Sequence, residues 1–265
     1  MKVTKSNTEF EIPDSYYKIQ IIEDELNKIQ GGFPNNYNGI FDELESIKLL
    51  ISKIGELVLH EKETKRKRKE ILNKGEEHEV NDVFESTSKP LKFREYTYNS
   101  LLFLIHMLLE KYVVHIAELI NHFQLNPQSK FPNKLRSNID KFYDFIYHNL
   151  SNDSSLFIEL DLFKHKGIYT EIRNALYHRN GKTDDQKIKA WIEHRDDIEI
   201  SKSNTVSDEC DKADSGNTNT NEFYRIRITN SSFLISYIND VEFYFKKLFV
   251  LIRTRYYSAY DQGKF

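Results

Sequence analysis

The sequence has little of what builds cross-linked or many-turned domains. Its 265 residues include one cysteine, Cys210, with five prolines and nine glycines. A single thiol excludes a disulfide framework within one chain, and it excludes a cysteine-rich zinc site. Because helix breakers are few, long helices are favoured over a fold of many short strands.

A strong charge of one sign and a long apolar run are also missing. The 38 basic and 41 acidic residues leave a formal net charge of −3, so the chain as a whole is no polycation that binds nucleic acid or anionic membranes in bulk. The longest apolar run, Leu101 to Leu109, contains His106 and is too short to span a bilayer. The N-terminal residues lack the apolar core of a secretory signal. We therefore expect a cytoplasmic protein without a membrane partner.

What the sequence does contain is helical periodicity. Apolar residues on one helix face predict helices from about 38 onward and at about 91–123, 133–150 and 231–260. Capping and stop residues predict two more, at 14–30 and 155–180. An acidic, Ser/Thr-rich stretch at 75–89, followed by Pro90, predicts a linker. The chain is therefore predicted to divide into an N-terminal helical extension with a linker, 1–88, and a helical domain, 89–265.

The segment at about 195–229 interrupts this helical pattern. Residues 197–200 and 224–229 alternate apolar and charged side chains, which predicts two strands. The polar stretch between them contains Cys210 and has no periodicity, so we expect a disordered loop that joins an antiparallel pair. The predicted fold class is mainly α, a helical bundle with a small antiparallel β insertion.

One segment carries residues suited to catalysis, EIRNALYHRNG at 171–181. Asn174 and His178 are four residues apart and share one face of the predicted helix, and Arg173 can reach towards the same cleft. A histidine can move a proton near neutral pH, and a guanidinium can hold a phosphate. The Asn amide can orient the histidine or bind a phosphate oxygen. Because the RNA 2′-hydroxyl is an internal nucleophile, this trio can cleave RNA without a metal ion.

A structural explanation covers part of the same segment. His178 and Arg179 lie at a predicted helix C terminus, where a cation gains about 0.3–1 kcal/mol from the helix dipole. Arg173 lies almost two turns further inside, and it could pair with Glu171 or Asp161 on the surface. Residue pattern alone therefore leaves a catalytic and a structural interpretation open.

The motif and the helix order together resemble the HEPN superfamily. Arg173-Asn174-x-x-x-His178 stands in a helical domain that closes with one further long helix, and the resemblance covers about residues 90–262. It implies a HEPN-like helical bundle that forms homodimers, with an N-terminal helical extension that has no assignable counterpart. It also implies a metal-independent endoribonuclease of a toxin or anti-phage defence type. Arg173, Asn174 and His178 would be its catalytic residues, at a composite site on the two-fold axis, with no cofactor.

The resemblance also implies partners and leaves alternatives. The expected partners are an RNA substrate, a second copy of the chain, and an antitoxin or sensor. Since some HEPN relatives have no known nuclease activity, the alternative is a non-catalytic module that binds RNA or protein. A third interpretation is a helical scaffold whose apolar last helix forms an oligomer.

Basic residues beside the motif and in the run at 65–69 are candidate RNA contacts, because cations at phosphates add salt-dependent affinity. These candidates are Arg179, Lys182, Lys65, Arg66 and Arg68. The alternative for the run is a solvated helix face.

Three residues on one helix face have a spacing that can seed a metal site, namely His115, Glu118 and His122. They flank an apolar stripe, where polar residues are expected in any case. We therefore predict no metal.

Overall fold

The computed structural model describes residues 14–31, 38–72, 80–123, 129–133, 139–150, 161–202 and 224–263. Within them the protein is mainly helical with one small antiparallel sheet, which confirms the predicted fold class. The elements in chain order are α1 (Asp14–Gln30), α2 (Ile40–Leu72), α3 (Val80–Phe123), α4 (Ile139–Leu150), α5 (Asp161–His178), β1 (Lys182–Thr183), α6 (Gln186–Ile192), β2 (Ile198–Lys202), β3 (Tyr224–Ile228) and α7 (Ser232–Asp261).

The helices mostly follow the predicted bounds, but the predicted linker is wrong over residues 80–89. These residues belong to α3, which begins at Val80 and contains Pro90. A polar composition lowers helix propensity without forbidding a helix. A single interior proline costs about 3 kcal/mol, through one lost hydrogen bond and a clash with a backbone carbonyl, and a helix of 44 residues contains it here. The predicted division of the chain into residues 1–88 and 89–265 stays a prediction.

The predicted strand pair is confirmed as β2 and β3. Ile200 stands opposite Ile226 in their antiparallel register. A third strand, β1, pairs with the other edge of β3, so the sheet order is β1-β3-β2. The helix α6 was not predicted either; the Asp185 side chain caps it by accepting from the Lys187 amide at 2.7 Å. The predicted loop with Cys210 lies outside the described residues.

The chain divides into two compact units, and the first is a set of packed helices. It comprises Met1–Asp42, Glu110–Ser154 and Phe245–Phe265. Arg253 of α7 donates from Nε to Glu23 of α1 at 2.9 Å and from Nη2 to Asn27 at 3.1 Å. Buried apolar side chains fill the space between the helices, including Leu26, Val113, Ile116, Ile120, Phe245, Leu248 and Ile252.

The second unit comprises Glu43–Leu109 and Ser155–Tyr244 and contains the motif helix α5. A buried polar cluster fixes α5 against α7 and α3. The rings of Tyr169 and Tyr237 stack at 4.1 Å, and Tyr169 donates its hydroxyl hydrogen to Asp240 at 2.8 Å. Nδ1 of His106 lies 2.9 Å from the Tyr237 hydroxyl. Burial raises the pKa of Tyr169 and the Asp240 carboxylate raises it further, so the phenol keeps its proton and remains a donor.

The last helix, α7, is apolar on more than one side, as predicted. Phe233 and Phe249 are buried within the chain, whereas Phe243 is 50% exposed and Tyr257 is 45% exposed. The predicted buried stripe is confirmed for all six of its residues, Ile238, Val241, Phe245, Leu248, Ile252 and Tyr256.

One helical segment within the described part of the chain, Arg94–Phe123 of α3, is long and apolar enough to cross a membrane. Its 18-residue window has a mean hydropathy of 1.5, and 56% of that window is buried inside the structure. Core helices of soluble proteins pass the same test of length and composition. The absence of a membrane partner therefore stays a prediction.

The turn after α5 attaches the sheet to the motif helix. Asn180 and Gly181 have φ angles of 52° and 82°. The Gly181 amide donates to the carbonyl of Ala175 at 2.7 Å, and the Gly181 carbonyl accepts from the Ile226 amide of β3 at 2.8 Å. A Cβ atom at Gly181 would lie 2.9 Å from the Ile226 carbonyl oxygen, closer than real contacts allow. Glycine is therefore required both by the backbone angle and by the approach of β3.

We predict that Gly181→Ala lowers the free energy of unfolding by about 1–3 kcal/mol. Alanine is strained at the positive φ angle of this position, and its Cβ atom would overlap with the Ile226 carbonyl oxygen. Gly167→Ala is the matched control, because Gly167 lies inside α5 with no atom within 4 Å of an added Cβ. That control should stabilise the protein by about 0.5–1 kcal/mol. Urea unfolding followed by circular dichroism measures both effects, and equal stabilities of the two variants would contradict the prediction.

Candidate active site

The arginine and asparagine of the motif bind each other. Nη1 of Arg173 donates to Oδ1 of Asn174 at 2.8 Å. The Asn174 carbonyl is therefore positioned to orient the Arg173 guanidinium. The residue pattern instead predicts that the Asn174 amide orients His178 or binds a phosphate oxygen. Glu171 does not take this role, because it pairs with Arg179 at 2.6 Å.

The histidine of the motif lies at the exposed C-terminal end of α5. His178 is the last residue of the helix. The centroids of its ring and of the Tyr177 ring are 4.8 Å apart, and the two ring planes are nearly perpendicular. Tyr177 stacks on Phe103 of α3 with centroids 4.9 Å apart and planes 6° apart, yet it stays 63% exposed. The imidazole thus lies at the surface, beside an aromatic pair that joins α5 to α3.

A cavity of about 620 Å³ lies between α3, the end of α5 and β3. Its volume is in the range of small-molecule sites. Four arginines and one glutamate supply the charged side chains of its lining, so the cavity is locally cationic in an acidic protein. They are Arg94, Arg173, Arg225, Arg227 and Glu95.

The two arginines of β3 point to the same carboxylate. Arg225 and Arg227 alternate with buried residues along β3 and so share one face of the strand. Nε of Arg227 lies 3.3 Å from Glu95, and Nη2 of Arg225 lies 4.0 Å from it. These ion pairs connect the sheet to α3 at residues that line the cavity.

The structure brings some of the predicted trio together and leaves one member apart. Arg173 lines the cavity and contacts Asn174. His178 is not among the described residues that line it, but its neighbour Tyr177 is. The cavity and His178 are therefore adjacent at one helix end, with the imidazole outside the cavity lining.

The predicted RNA-contacting residues fall into two places. Lys182 stands opposite Arg225 in the register of β1 and β3, and Arg179 is exposed next to the motif. Arg66 is exposed on α2 and lies 3.6 Å from Glu70. Lys65 and Arg68 belong to α2, but their side chains lie outside the described residues.

Sequence reasoning missed three of the cavity arginines, Arg94, Arg225 and Arg227. The pair on β3 had a detectable signal, because two cations at i and i+2 of a strand share one face. Arg94 gave no such signal, because nothing in the local sequence of α3 indicates that this residue lines a cavity shared with a distant strand.

The candidate metal-binding residues His115, Glu118 and His122 lie together on α3. These side chains line a second cavity of about 540 Å³ in the helical unit. Among the residues that the structure describes, no group of three His, Cys, Asp or Glu side chains could hold a metal ion.

No protein-family model matches the sequence, and neither a curated protein nor a solved structure shows significant similarity to it.

We predict that Asn174→Ala lowers the free energy of unfolding by about 1 kcal/mol, because the Arg173 guanidinium loses an acceptor. Asn174→Asp keeps an acceptor oxygen and adds charge assistance, so its stability should equal or exceed that of the wild type. Urea unfolding checks the order of the three proteins. An equal loss of unfolding free energy in Asn174→Ala and Asn174→Asp would show that this hydrogen bond does not hold the guanidinium.

Proposed function

We propose that this protein is a metal-independent endoribonuclease of a toxin or anti-phage defence type, similar to the nucleases of the HEPN superfamily. The observation that carries the proposal is the position of Arg173 in an arginine-lined cavity, with His178 exposed at the end of the same helix. Guanidinium groups recognise phosphate, and histidine is the commonest general acid or base.

In the proposed reaction, Arg173 binds the scissile phosphate and offsets the charge that builds in the transition state. Asn174 supports that contact, because its carbonyl accepts a hydrogen bond from Arg173 at 2.8 Å. His178 removes the proton from the 2′-hydroxyl, whose oxygen attacks phosphorus. The bond to the 5′-oxygen breaks and that oxygen takes a proton, which leaves a 2′,3′-cyclic phosphate and a 5′-hydroxyl.

A homodimer would supply the second proton-transfer group. One chain provides a single motif histidine, whereas the reaction needs a base and an acid. Support comes from exposed apolar side chains in the unit that carries the motif, with Met107 at 49% and Tyr177 at 63% exposure. We further propose that the dimer acts in the cytoplasm and that an antitoxin or sensor restrains it.

We predict that the purified protein cleaves cellular RNA in EDTA and that His178→Ala lowers the rate by at least about 100-fold, the usual contribution of a general acid or base. Arg173→Ala should have a comparable effect, since it removes the phosphate contact. Gel electrophoresis of the RNA gives the rate, and end-group analysis identifies the products.

The matched control is His194→Ala, because His194 is exposed in the same unit but does not line the cavity. Its rate should stay within about twofold of the wild type. Products that end in a 3′-hydroxyl, or full activity of His178→Ala, would contradict the proposed mechanism.

The second candidate function is a non-catalytic module that binds RNA. It is favoured by the same cationic cavity, whose arginines can hold phosphates without any help from His178. In this case the wild type binds RNA without cleaving it, and His178→Ala binds with unchanged affinity.

A further inference from the structure

The cavity that contains Arg173 has an apolar wall, which the proposed cleavage does not use. The wall is formed by Leu102, Phe103, Leu176 and Ile228. A phosphate gains nothing from such a wall, whereas an apolar side chain that enters the cavity is removed from water. Ligand pockets commonly combine an apolar lining with a few polar groups that fix the orientation of the ligand. The wall therefore indicates a ligand with an apolar body.

Two arginines of β3 already hold a carboxylate in the lining of this cavity. Nε of Arg227 lies 3.3 Å from Glu95 and Nη2 of Arg225 lies 4.0 Å from it, and the two arginine side chains are about half exposed, at 46% and 47%. Ion pairs with this exposure contribute little to stability. Because each guanidinium has several N–H donors, one of these arginines can also bind a second carboxylate through two parallel hydrogen bonds. The β3 arginines are therefore suited to a carboxylate that enters from outside the chain.

One amide in the cavity lining lacks a hydrogen bond. Oδ1 of Asn99 is buried and has no partner among the described residues. Asn99 lies four residues from Glu95 and four from Phe103 on α3, so the three side chains share the helix face that lines the cavity. Because no hydrogen bond holds this oxygen, the amide can turn it towards a ligand without breaking one. The matching group on the ligand is an N–H donor.

The apolar wall, the arginines and the amide together match the last residue of a polypeptide. Such a residue carries a free carboxylate and a backbone N–H on the two sides of one Cα atom, together with its side chain, so a single ligand can meet all three features at once. Capture of a C-terminal carboxylate is a recurring mode of peptide recognition. A cavity of about 620 Å³ is in the range of small-molecule sites and accommodates a short chain end.

We propose that this cavity binds the C-terminal end of a partner polypeptide whose last residue is apolar. The carboxylate of that residue pairs with Arg225 and Arg227. Its backbone N–H donates to Asn99, and its side chain packs against Phe103 and Leu176. This binding requires no cleavage of RNA, so it stands or falls independently of the proposed nuclease.

The test is isothermal titration of the full chain with an acetylated tripeptide that ends in phenylalanine, with its C-terminal amide, and with the tripeptide that ends in serine. The first should bind with a Kd below about 1 mM. The amide and the serine peptide should each bind at least about tenfold more weakly, because one loses the charged contact and the other the apolar one. A 2′-deoxy tetranucleotide, which the proposed nuclease cannot cleave, is titrated alongside. Equal affinity for the acid and the amide, or binding of the tetranucleotide alone, overturns the proposal.

In Arg225→Gln/Arg227→Gln the acid and the amide should bind equally, because the preference for the acid comes from these two cations. A merely structural role of the arginines would weaken both peptides alike and keep the preference. The matched control is Arg255→Gln, an exposed arginine outside the cavity lining, which should change the Kd of the acid less than about twofold. An unchanged preference for the acid in the double variant overturns the proposal.

Two single variants keep the proposal testable if the double variant does not fold. Glu95→Gln removes the competing carboxylate while it keeps the shape of the side chain, so the Kd of the acid should fall about three- to tenfold. Asn99→Ala removes the acceptor for the backbone N–H, so the Kd should rise about three- to tenfold, the equivalent of one hydrogen bond. A Kd that is unchanged or shifts in the opposite direction in either variant overturns the proposal.

Discussion

The hydrogen bond from the Ile226 amide to the Gly181 carbonyl joins the sheet to the end of the motif helix. It forms because Asn180 and Gly181 turn the chain through left-handed backbone angles directly after α5. β3 and the end of α5 are two of the elements that line the cavity, and this junction fixes them relative to each other. The ion pairs of the β3 arginines with Glu95 connect β3 to α3 as well.

A second constraint acts from the buried side of α5. Tyr169 is tied to Asp240 by a hydrogen bond and to Tyr237 by ring stacking, so the inward face of the helix is fixed by both polarity and shape. The outward face keeps Tyr177 and His178 exposed. One helix therefore has a rigid anchor on one side and reactive groups on the other, an arrangement that suits a binding or catalytic surface.

Charge in this protein is organised locally. The whole chain has a formal net charge of −3, yet four arginines and only one carboxylate among the described residues line the cavity. Overall composition argues against a protein that binds polyanions in bulk. A single cationic cavity is compatible with an acidic protein, because the interaction between charges weakens with distance and with salt.

The periodicity of the sequence by itself determined the helices and the strand pair. Steps of three and four placed α2 and α7, and alternation placed β2 and β3, because these patterns are the local geometry of buried faces. The same reasoning missed β1 and α6, which have two and seven residues and are too short for a repeating pattern.

The motif residues could be selected from the sequence because Arg173, Asn174 and His178 are close along one helix. The side chain or element that each of these residues contacts could not be selected in this way. The structure shows that Asn174 accepts from Arg173 and that Glu171 pairs with Arg179, which are local pairings among several that the sequence allowed. Only the tertiary structure decided that the cavity combines α3, α5 and β3. The physical reason is distance along the chain: local periodicity fixes which face a residue occupies, whereas the packing of separate elements fixes what that face meets.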